Sequence, residues 1–376
     1  MANLDPIGAA LQTAIDEGTF PGAVLAVRHQ GVLVYQQAVG RLSLGPSAGA
    51  VTLQTVYDLA SLTKPLATTT AILLLEQRGQ LQLESRVEYW LEPLSGTSVG
   101  AASIAQLLSH SSGLPGWRPF YERLCADRPV HDGPVDREEA KAAVVSYIRE
   151  EPLLYPAGSR SLYSDLGFML LGFIIERLTS RSLAAFCEEE LFRPLGAAPL
   201  AYRPRGETVS DVRRDDSHSI APTEDDPWRG RILCGEVHDE NAYALGGIAG
   251  HAGLFGTADA VLAMSAGWLA AYRGEESILD GPLVRRFASR RRSIPGSSWG
   301  LGWDTPSPPS SAGAHFGESS FGHLGYTGTS LWIDPSRRLE VVLLSNRVHP
   351  TRRNERIRRF RPHLHDLVCR EILGET

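Results

Sequence analysis

Lysine is nearly absent from this chain: of 37 Lys and Arg residues, only Lys64 and Lys141 are lysines. A desolvated ammonium can be brought toward neutrality and act as a base, whereas a guanidinium keeps its proton, so a lysine kept among arginines points to proton chemistry. Cysteine is scarce as well. Cys125, Cys187, Cys234 and Cys369 show neither CxxC nor zinc-like spacing, which gives no disulfide framework and leaves free, mostly buried thiols as the expectation. No run approaches the ~18 apolar residues of a membrane span. The start Met-Ala-Asn-Leu-Asp-Pro lacks a charged n-region and an apolar stretch, so a cytoplasmic protein without a membrane partner is expected. The formal net charge of −6 carries no footprint for nucleic acid. Residues 347–361 are the local exception, a strongly basic run that reads as a solvated helix face and could also hold an anion. With 376 residues, 43% hydrophobic and 21% charged, the chain has room for a large core, as two domains or one enzyme with an inserted lobe.

Periodicity predicts a helix over 4–17, ended by Gly18, then a hairpin in which 22–28 and 32–39 flank His29-Gln30-Gly31. A second hairpin is expected far away, with 329–334 and 339–345 around Pro335-Ser-Arg-Arg. Strands at both ends and helices between suggest one sheet built from the two chain ends. Helices are predicted over 62–77, 103–109, 137–150, 165–178, 183–191, 258–272 with Thr257 as cap, and 355–372. Residues 196–235 and 304–322 read as loops long enough to wall an active site.

Lys64 follows Ser61 by three residues, so one helical turn puts the amine beside the hydroxyl. A serine hydroxyl is a weak nucleophile until a neighbour removes its proton, and this pair has the spacing for it. A second proton carrier would serve the leaving group, and Tyr163, where a Pro/Gly-rich loop enters an apolar helix in Tyr-Ser-Asp-Leu-Gly, is the candidate. In the third segment, Phe321-Gly-His-Leu-Gly-Tyr-Thr-Gly-Thr-Ser-Leu331, glycines such as Gly325 permit close approach of a ligand to a strand. The N–H groups of Ser61 and Tyr326 would make an oxyanion hole if they converge. Each feature alone also fits a solvated lysine, a packing tyrosine or a Gly-rich edge strand.

In order, Ser-x-x-Lys, Tyr-Ser-Asp and His-Leu-Gly resemble the serine β-lactamase and penicillin-binding protein superfamily, within it the branch of class C β-lactamases, DD-carboxypeptidases and esterases. Residues 106–115 (Gln-Leu-Leu-Ser-His-Ser-Ser-Gly-Leu-Pro), 300–304, 325–335, 235–242 and 250–255 are similar to recurrent segments of that branch. The resemblance covers roughly residues 20–350. It implies a mixed α/β (α+β) fold, an antiparallel sheet from both chain ends flanked by helices, with an inserted mostly helical part. The expected organisation is a single catalytic unit, with an α/β lobe of residues 1–65 and 295–376 and a helical lobe of 66–294. It further implies Ser61 as acylated nucleophile, Lys64 as its proton partner, Tyr163 as base and acid, and His323 at the third motif's cation position. No cofactor and no metal are implied, and the oligomeric state is left open.

Two departures matter. Asp165 stands where Asn is common, which would stabilise the Lys64 ammonium and shift the base role to Tyr163. His323 and Leu324 replace a Lys and a Thr that would grip a substrate carboxylate, leaving Arg347, Arg352 or Arg353 as possible substitutes. The expected activity is therefore a serine hydrolase acting on an ester, amide or D-amino-acid peptide, cytoplasmic wall fragments included, with weak β-lactamase activity. The alternative is a penicillin-binding sensor that is acylated without turnover. His238 and Asp239 could reach the site but read better as a capped turn. His363, His365 and Asp366 do not read as a metal site, because histidines two apart on a helix face different ways.

Overall fold

A computed structural model describes residues 5–126, 136–206 and 219–374. Helix α1 (Asp5–Asp16) leads into strands β1 (Gly22–His29) and β2 (Val32–Gly40). Gln30 and Gly31 between them both have positive φ, 53° and 80°, the two-residue turn whose twist suits a hairpin. Next come β3 (Tyr57–Asp58), a 3-10 turn Ala60–Leu62, a wider π turn Lys64–Thr69 and α2 (Thr70–Gln77). The helix expected over 62–77 is thus regular only in its second half. Pro65 supplies no N–H to the ladder, and the Thr70 hydroxyl donates to the Pro65 carbonyl at 2.8 Å, so the first turns wind differently.

Six short or long helices follow: α3 (Ile104–Leu108), α4 (Phe120–Leu124), α5 (Arg137–Glu150), α6 (Asp165–Thr179), α7 (Leu183–Cys187, continued by a π turn Glu188–Phe192) and α8 (Glu240–Ala244). Ser103 and Gln106 form a capping box on α3, while Asp136, Ser164, Ser182 and Asp239 cap α5 to α8 through their side chains. The short strands β4 (Ala201–Tyr202), β5 (Asp225–Asp226), β6 (Arg231–Ile232) and β7 (Leu254–Gly256) are interspersed. Helix α9 (Ala258–Arg273), capped by Thr257 as expected, and α10 (Gly281–Ala288) precede β8 (Phe321–Leu324), β9 (Ser330–Asp334), β10 (Leu339–Ser345) and α11 (Ile357–Leu373).

The main sheet has the order β2-β1-β10-β9-β8 and is antiparallel throughout, so the two ends of the chain do build it. Alternation decides its two faces. Ala23, Leu25, Val27, Trp332, Val341 and Leu343 pack with Ile7, Leu11, Leu364 and Val368 of α1 and α11. Val24, Ala26, Leu331, Ile333, Val342 and Leu344 join the larger cluster that runs into the helices, with α9 lying directly against the sheet. Cys187 and Cys369 are buried, but Cys125 is half-buried and Cys234 exposed. Among the described residues no helix is long and apolar enough to cross a membrane.

Candidate active site

Ser61 sits just past β3, on a turn that Asp58 holds. The Asp58 carboxylate accepts the N–H groups of Ala60 (2.8 Å) and His238 (2.7 Å), and Ala60 takes a left-handed φ of 47°, a conformation that costs energy and is kept where surrounding contacts enforce it. Two threonines fasten the third motif to this turn. Thr327 donates to the Asp58 carbonyl at 2.7 Å and Thr329 to the Leu59 carbonyl at 3.0 Å.

Lys64 is fully buried. Its Nζ donates to Ser61 Oγ at 3.0 Å and to the His251 carbonyl at 2.9 Å, and stands 2.6 Å from Asp165 Oδ1. Tyr163 enters from the loop before α6, with its phenol near enough to Lys64 and Ser61 to feel both and its ring centroid 5.0 Å from the lysine Nζ. The three segments singled out by sequence therefore meet. Desolvation works to lower the Lys64 pKa, but the Asp165 charge and hydrogen bond, helped by Tyr163, outweigh it and hold the ammonium above its usual range. Burial pushes the Tyr163 phenol up, against the opposing effect of Lys64. At rest the site is an ammonium–carboxylate pair beside a neutral phenol.

His323 lies in β8 with its Nδ1 2.8 Å from the Leu324 carbonyl. That carbonyl can only accept, so Nδ1 carries the hydrogen and Nε2 is bare. Burial, then the neighbouring Lys64, pushes its pKa down to about 3. The ring at the cation position is thus neutral. Sequence reasoning passed over a second histidine. His110, also in a left-handed conformation (φ 54°), accepts the Ser164 N–H on Nδ1 at 3.0 Å, and its ring lies 4.5 Å from Tyr163 and 4.4 Å from Trp299. Its signal was present in the Ser-His-Ser-Ser-Gly segment, which a motif comparison treats only as a family mark.

These groups open into a cavity of about 540 Å³ lined by Ser61, Tyr163, Trp299, His323, Tyr326 and Arg361 among others. The 304–322 loop walls it through Asp304, Pro309, Ser310 and Ser311, whereas no described residue of 196–235 lines it. Burial raises the Asp304 carboxyl to about 6. Gly325 lines the cavity, but the close approach that requires glycine is internal: a Cβ there would lie 1.9 Å from Thr329 Oγ1 and 2.6 Å from the Leu59 carbonyl.

Of the three arginines expected to grip an anion, only Arg347 lines the cavity, and its donors go to the carbonyls of Tyr326 (2.8 Å), Arg352 (2.9 Å) and Asn354 (2.7 Å). Arg352 is committed elsewhere, to Glu224 and, at 2.7 Å, to Glu240. Arg353 is exposed and off the cavity. The cavity is instead lined by Arg358 and Arg361 of α11, so the basic run is not simply a solvated face. Asp239 is a capped turn as read, accepting the Ala242 N–H at 2.7 Å, and it also meets His251 Nε2 at 2.8 Å behind Lys64. His238 packs 5.8 Å from the Tyr326 ring and meets Glu224 at 2.9 Å. His363 is exposed, His365 is buried with Nδ1 2.9 Å from the Ser311 carbonyl, and Asp366 accepts the Ala314 N–H at 2.6 Å, so the three serve different neighbours.

The sequence profile of the Beta-lactamase family matches residues 7–364. The chain is 32% identical to an N-acetylmuramyl-L-alanine amidase of Bacillus subtilis over 353 residues, which span 88% of this chain and 78% of that protein. It is 30% identical over 371 residues to a Salmonella typhi protein described as a "Putative D-alanyl-D-alanine carboxypeptidase", spanning 92% of this chain and 83% of that one. Among solved structures, the octameric penicillin-binding protein homologue from Pyrococcus abyssi superposes with a TM-score of 0.75 at 20% identity, covering 100% of this chain and 78% of that chain.

Proposed function

The chain belongs to the beta-lactamase family of serine hydrolases, and within it we propose an amide hydrolase that forms an acyl-enzyme on Ser61 and acts on N-acylated amino acids or short peptides. The observation that carries this reading is the 3.0 Å contact between the Lys64 amine and the Ser61 hydroxyl, with the Tyr163 ring 5.0 Å from that amine. The names of the two relatives support the bond type, since an N-acetylmuramyl-L-alanine amidase and a D-alanyl-D-alanine carboxypeptidase both cut amides of acylated amino acids. We read the catalytic unit as two lobes, residues 1–65 with 295–376 and residues 66–294, with the cavity at their junction.

In the mechanism we propose, Lys64 passes one proton to Asp165 as it takes the proton of Ser61, and Oγ bonds to the substrate carbonyl carbon. The buried 2.6 Å pair makes that transfer short. The N–H groups of Ser61 and Tyr326 receive the oxyanion. As the C–N bond breaks, the neutral Tyr163 phenol protonates the leaving nitrogen, recovers its proton from Lys64, and Lys64 recovers one from Asp165. Water then repeats the sequence on the acyl-enzyme. The same steps cleave esters. β-Lactams are expected to be slow substrates, because the neutral His323 leaves the third motif without a cation.

Intact-mass spectrometry after incubation with N-acetylmuramyl peptides, D-Ala-D-Ala peptides, p-nitrophenyl esters and β-lactams tests the reading. Acyl adducts that form and decay on wild type and never form on Ser61→Ala are expected. Adducts on Ser61→Ala, or stable stoichiometric adducts without product for every compound, would overturn it, the latter in favour of an acylated sensor.

A further inference from the structure

Four consecutive residues at the entry to α8 each hold a different wall of the site, although the chemistry proposed above uses none of them. The His238 N–H goes to the Asp58 carboxylate at 2.7 Å, whose other oxygen fixes Ala60 beside the nucleophile. Asp239 meets His251 Nε2 at 2.8 Å. Glu240 holds Arg352 at 2.7 Å. Asn241 takes the Tyr121 N–H at 2.9 Å and donates to the Arg118 carbonyl at 2.8 Å, two residues from Gly116, whose carbonyl receives the Asp165 N–H at 2.8 Å.

Asp239 reaches furthest toward the reaction. The Lys64 ammonium has three hydrogens and three acceptors: Ser61 Oγ at 3.0 Å, Asp165 Oδ1 at 2.6 Å and the His251 carbonyl at 2.9 Å. The first two are reacting groups. The third is backbone, and its place depends on the segment that carries it into β7. That segment is tied down on both sides of His251, where the Thr68 hydroxyl donates to the Gly250 carbonyl at 2.7 Å and the Leu254 N–H to Thr63 Oγ1 at 3.1 Å. His251 itself is anchored through its ring, which is buried and bonded to Asp239. A carboxylate only accepts, so Nε2 carries the hydrogen. The same Asp239 Oδ1 takes the Ala242 N–H at 2.7 Å, so one line of contacts runs from a helix cap to the amine beside the nucleophile.

We propose that Asp239 and His251 are a positioning pair for Lys64, which places the third acceptor of the ammonium and thereby aims the hydrogen it presents to Ser61. Neither residue lines the cavity, so the pair acts through the His251 carbonyl and not on the substrate. The proposal rests on the reading of Lys64 as the proton partner of Ser61 and adds the remote residues on which that partnership depends.

The test separates helix capping from positioning. Ser and Asn cap a helix about as well as Asp does, but serine is too short to reach the imidazole, whereas asparagine keeps the oxygen that serves both N–H groups. Asp239→Ser should lower kcat for a p-nitrophenyl ester by about ten- to hundredfold with KM little changed, the scale of a ~1 Å misplacement, and Asp239→Asn should recover most of that loss. His251→Ala, which leaves the α8 cap whole, should match the Ser variant and gives the same reading if that variant melts early. The double variant should be no worse than either single one. A second readout needs no turnover: Lys64 and Lys141 are the only lysines, so isotope-labelled lysine gives one Nζ resonance for each, and Lys141→Arg tells which belongs to Lys64. That resonance should move in Asp239→Ser and His251→Ala and stay nearer its wild-type position in Asp239→Asn. Equal activity of the Ser and Asn variants, additive losses, or an unmoved resonance would overturn the pair. Fluorophosphonate labelling of Ser61 in the otherwise wild-type protein separates the two readings: labelling with an unmoved resonance in the variants sinks the pair alone, and a moved resonance without labelling sinks the acyl-enzyme reading alone.

Discussion

Lys64 and Asp165 form a 2.6 Å ion pair in which the lysine is fully buried and the carboxylate 17% exposed. The pair accounts for a buried lysine that stays charged, and it places a carboxylate oxygen beside the amine that meets the Ser61 hydroxyl. The other lysine has a different reason to exist: Lys141 lies 3.0 Å from the buried Glu176 and does not line the cavity.

Replacing Asp165 by Asn removes the charge that holds the Lys64 pKa up, leaving desolvation, which lowers it. The proposed path starts from the Lys64 ammonium, which hands its proton to Asp165; in Asp165→Asn that acceptor is gone and Lys64 must first lose its proton to solvent, so kcat/KM for a p-nitrophenyl ester should fall at neutral pH and climb with rising pH along a limb that wild type lacks there. A variant profile that matches wild type would remove Asp165 from the proton path.

Lys64→Arg keeps the charge and forfeits the proton transfer. Its kcat should fall by about 10³-fold or more in stopped-flow assays of ester hydrolysis, given the cost of losing the base partner of a nucleophile. An Arg variant within tenfold of wild type would contradict the assignment of Lys64 as proton acceptor.

His110 touches the Tyr163 ring and fixes the Ser164 N–H without lining the cavity, so it acts as a positioning residue. His110→Ala is expected to lower kcat by about tenfold to a hundredfold with KM little changed. His110→Asn, which offers an acceptor near the Ser164 N–H, should recover part of the loss, and absence of any rescue would argue for bulk packing alone.

Glu176 pairs with Arg137 at 2.7 Å and Lys141 at 3.0 Å and accepts the Leu183 N–H at 2.8 Å. Desolvation would raise its pKa, but the Arg137 hydrogen bond and charge overcome that and depress it. A depressed carboxylate contributes stability above its unfolded-state pKa and loses it as pH falls through the folded-state value. Glu176→Gln should therefore cost about 3 kcal/mol in urea denaturation at neutral pH, by leaving Arg137 without its carboxylate while Lys141 keeps Glu138 at 2.6 Å, and the gap to wild type should narrow below pH 4, near the ordinary glutamate pKa.

Much of this was legible in the sequence. Alternation exposed both hairpins, and the rarity of lysine singled out Lys64 before any contact was known. The buried place of Arg361 was not, because a run of arginines looks uniform along the chain. Only helical spacing separates them: Ile357, Arg361, Leu364, His365 and Val368 share one buried face, so Arg361 occupies a position that pattern would reserve for an apolar residue. The start of the helix after Ser61 was misread for a related reason, since periodicity counts apolar positions and cannot register a missing N–H at Pro65.

The threonines that tie the third motif to the nucleophile turn bridge 269 and 270 positions of sequence. Ser61 and Lys64 leave the ribosome long before Thr327 and Thr329 exist, so a growing polypeptide holds that pair without these two ties until the third motif has been made. The turn that carries Ser61 is thereby fastened late, by residues remote from it in order of synthesis.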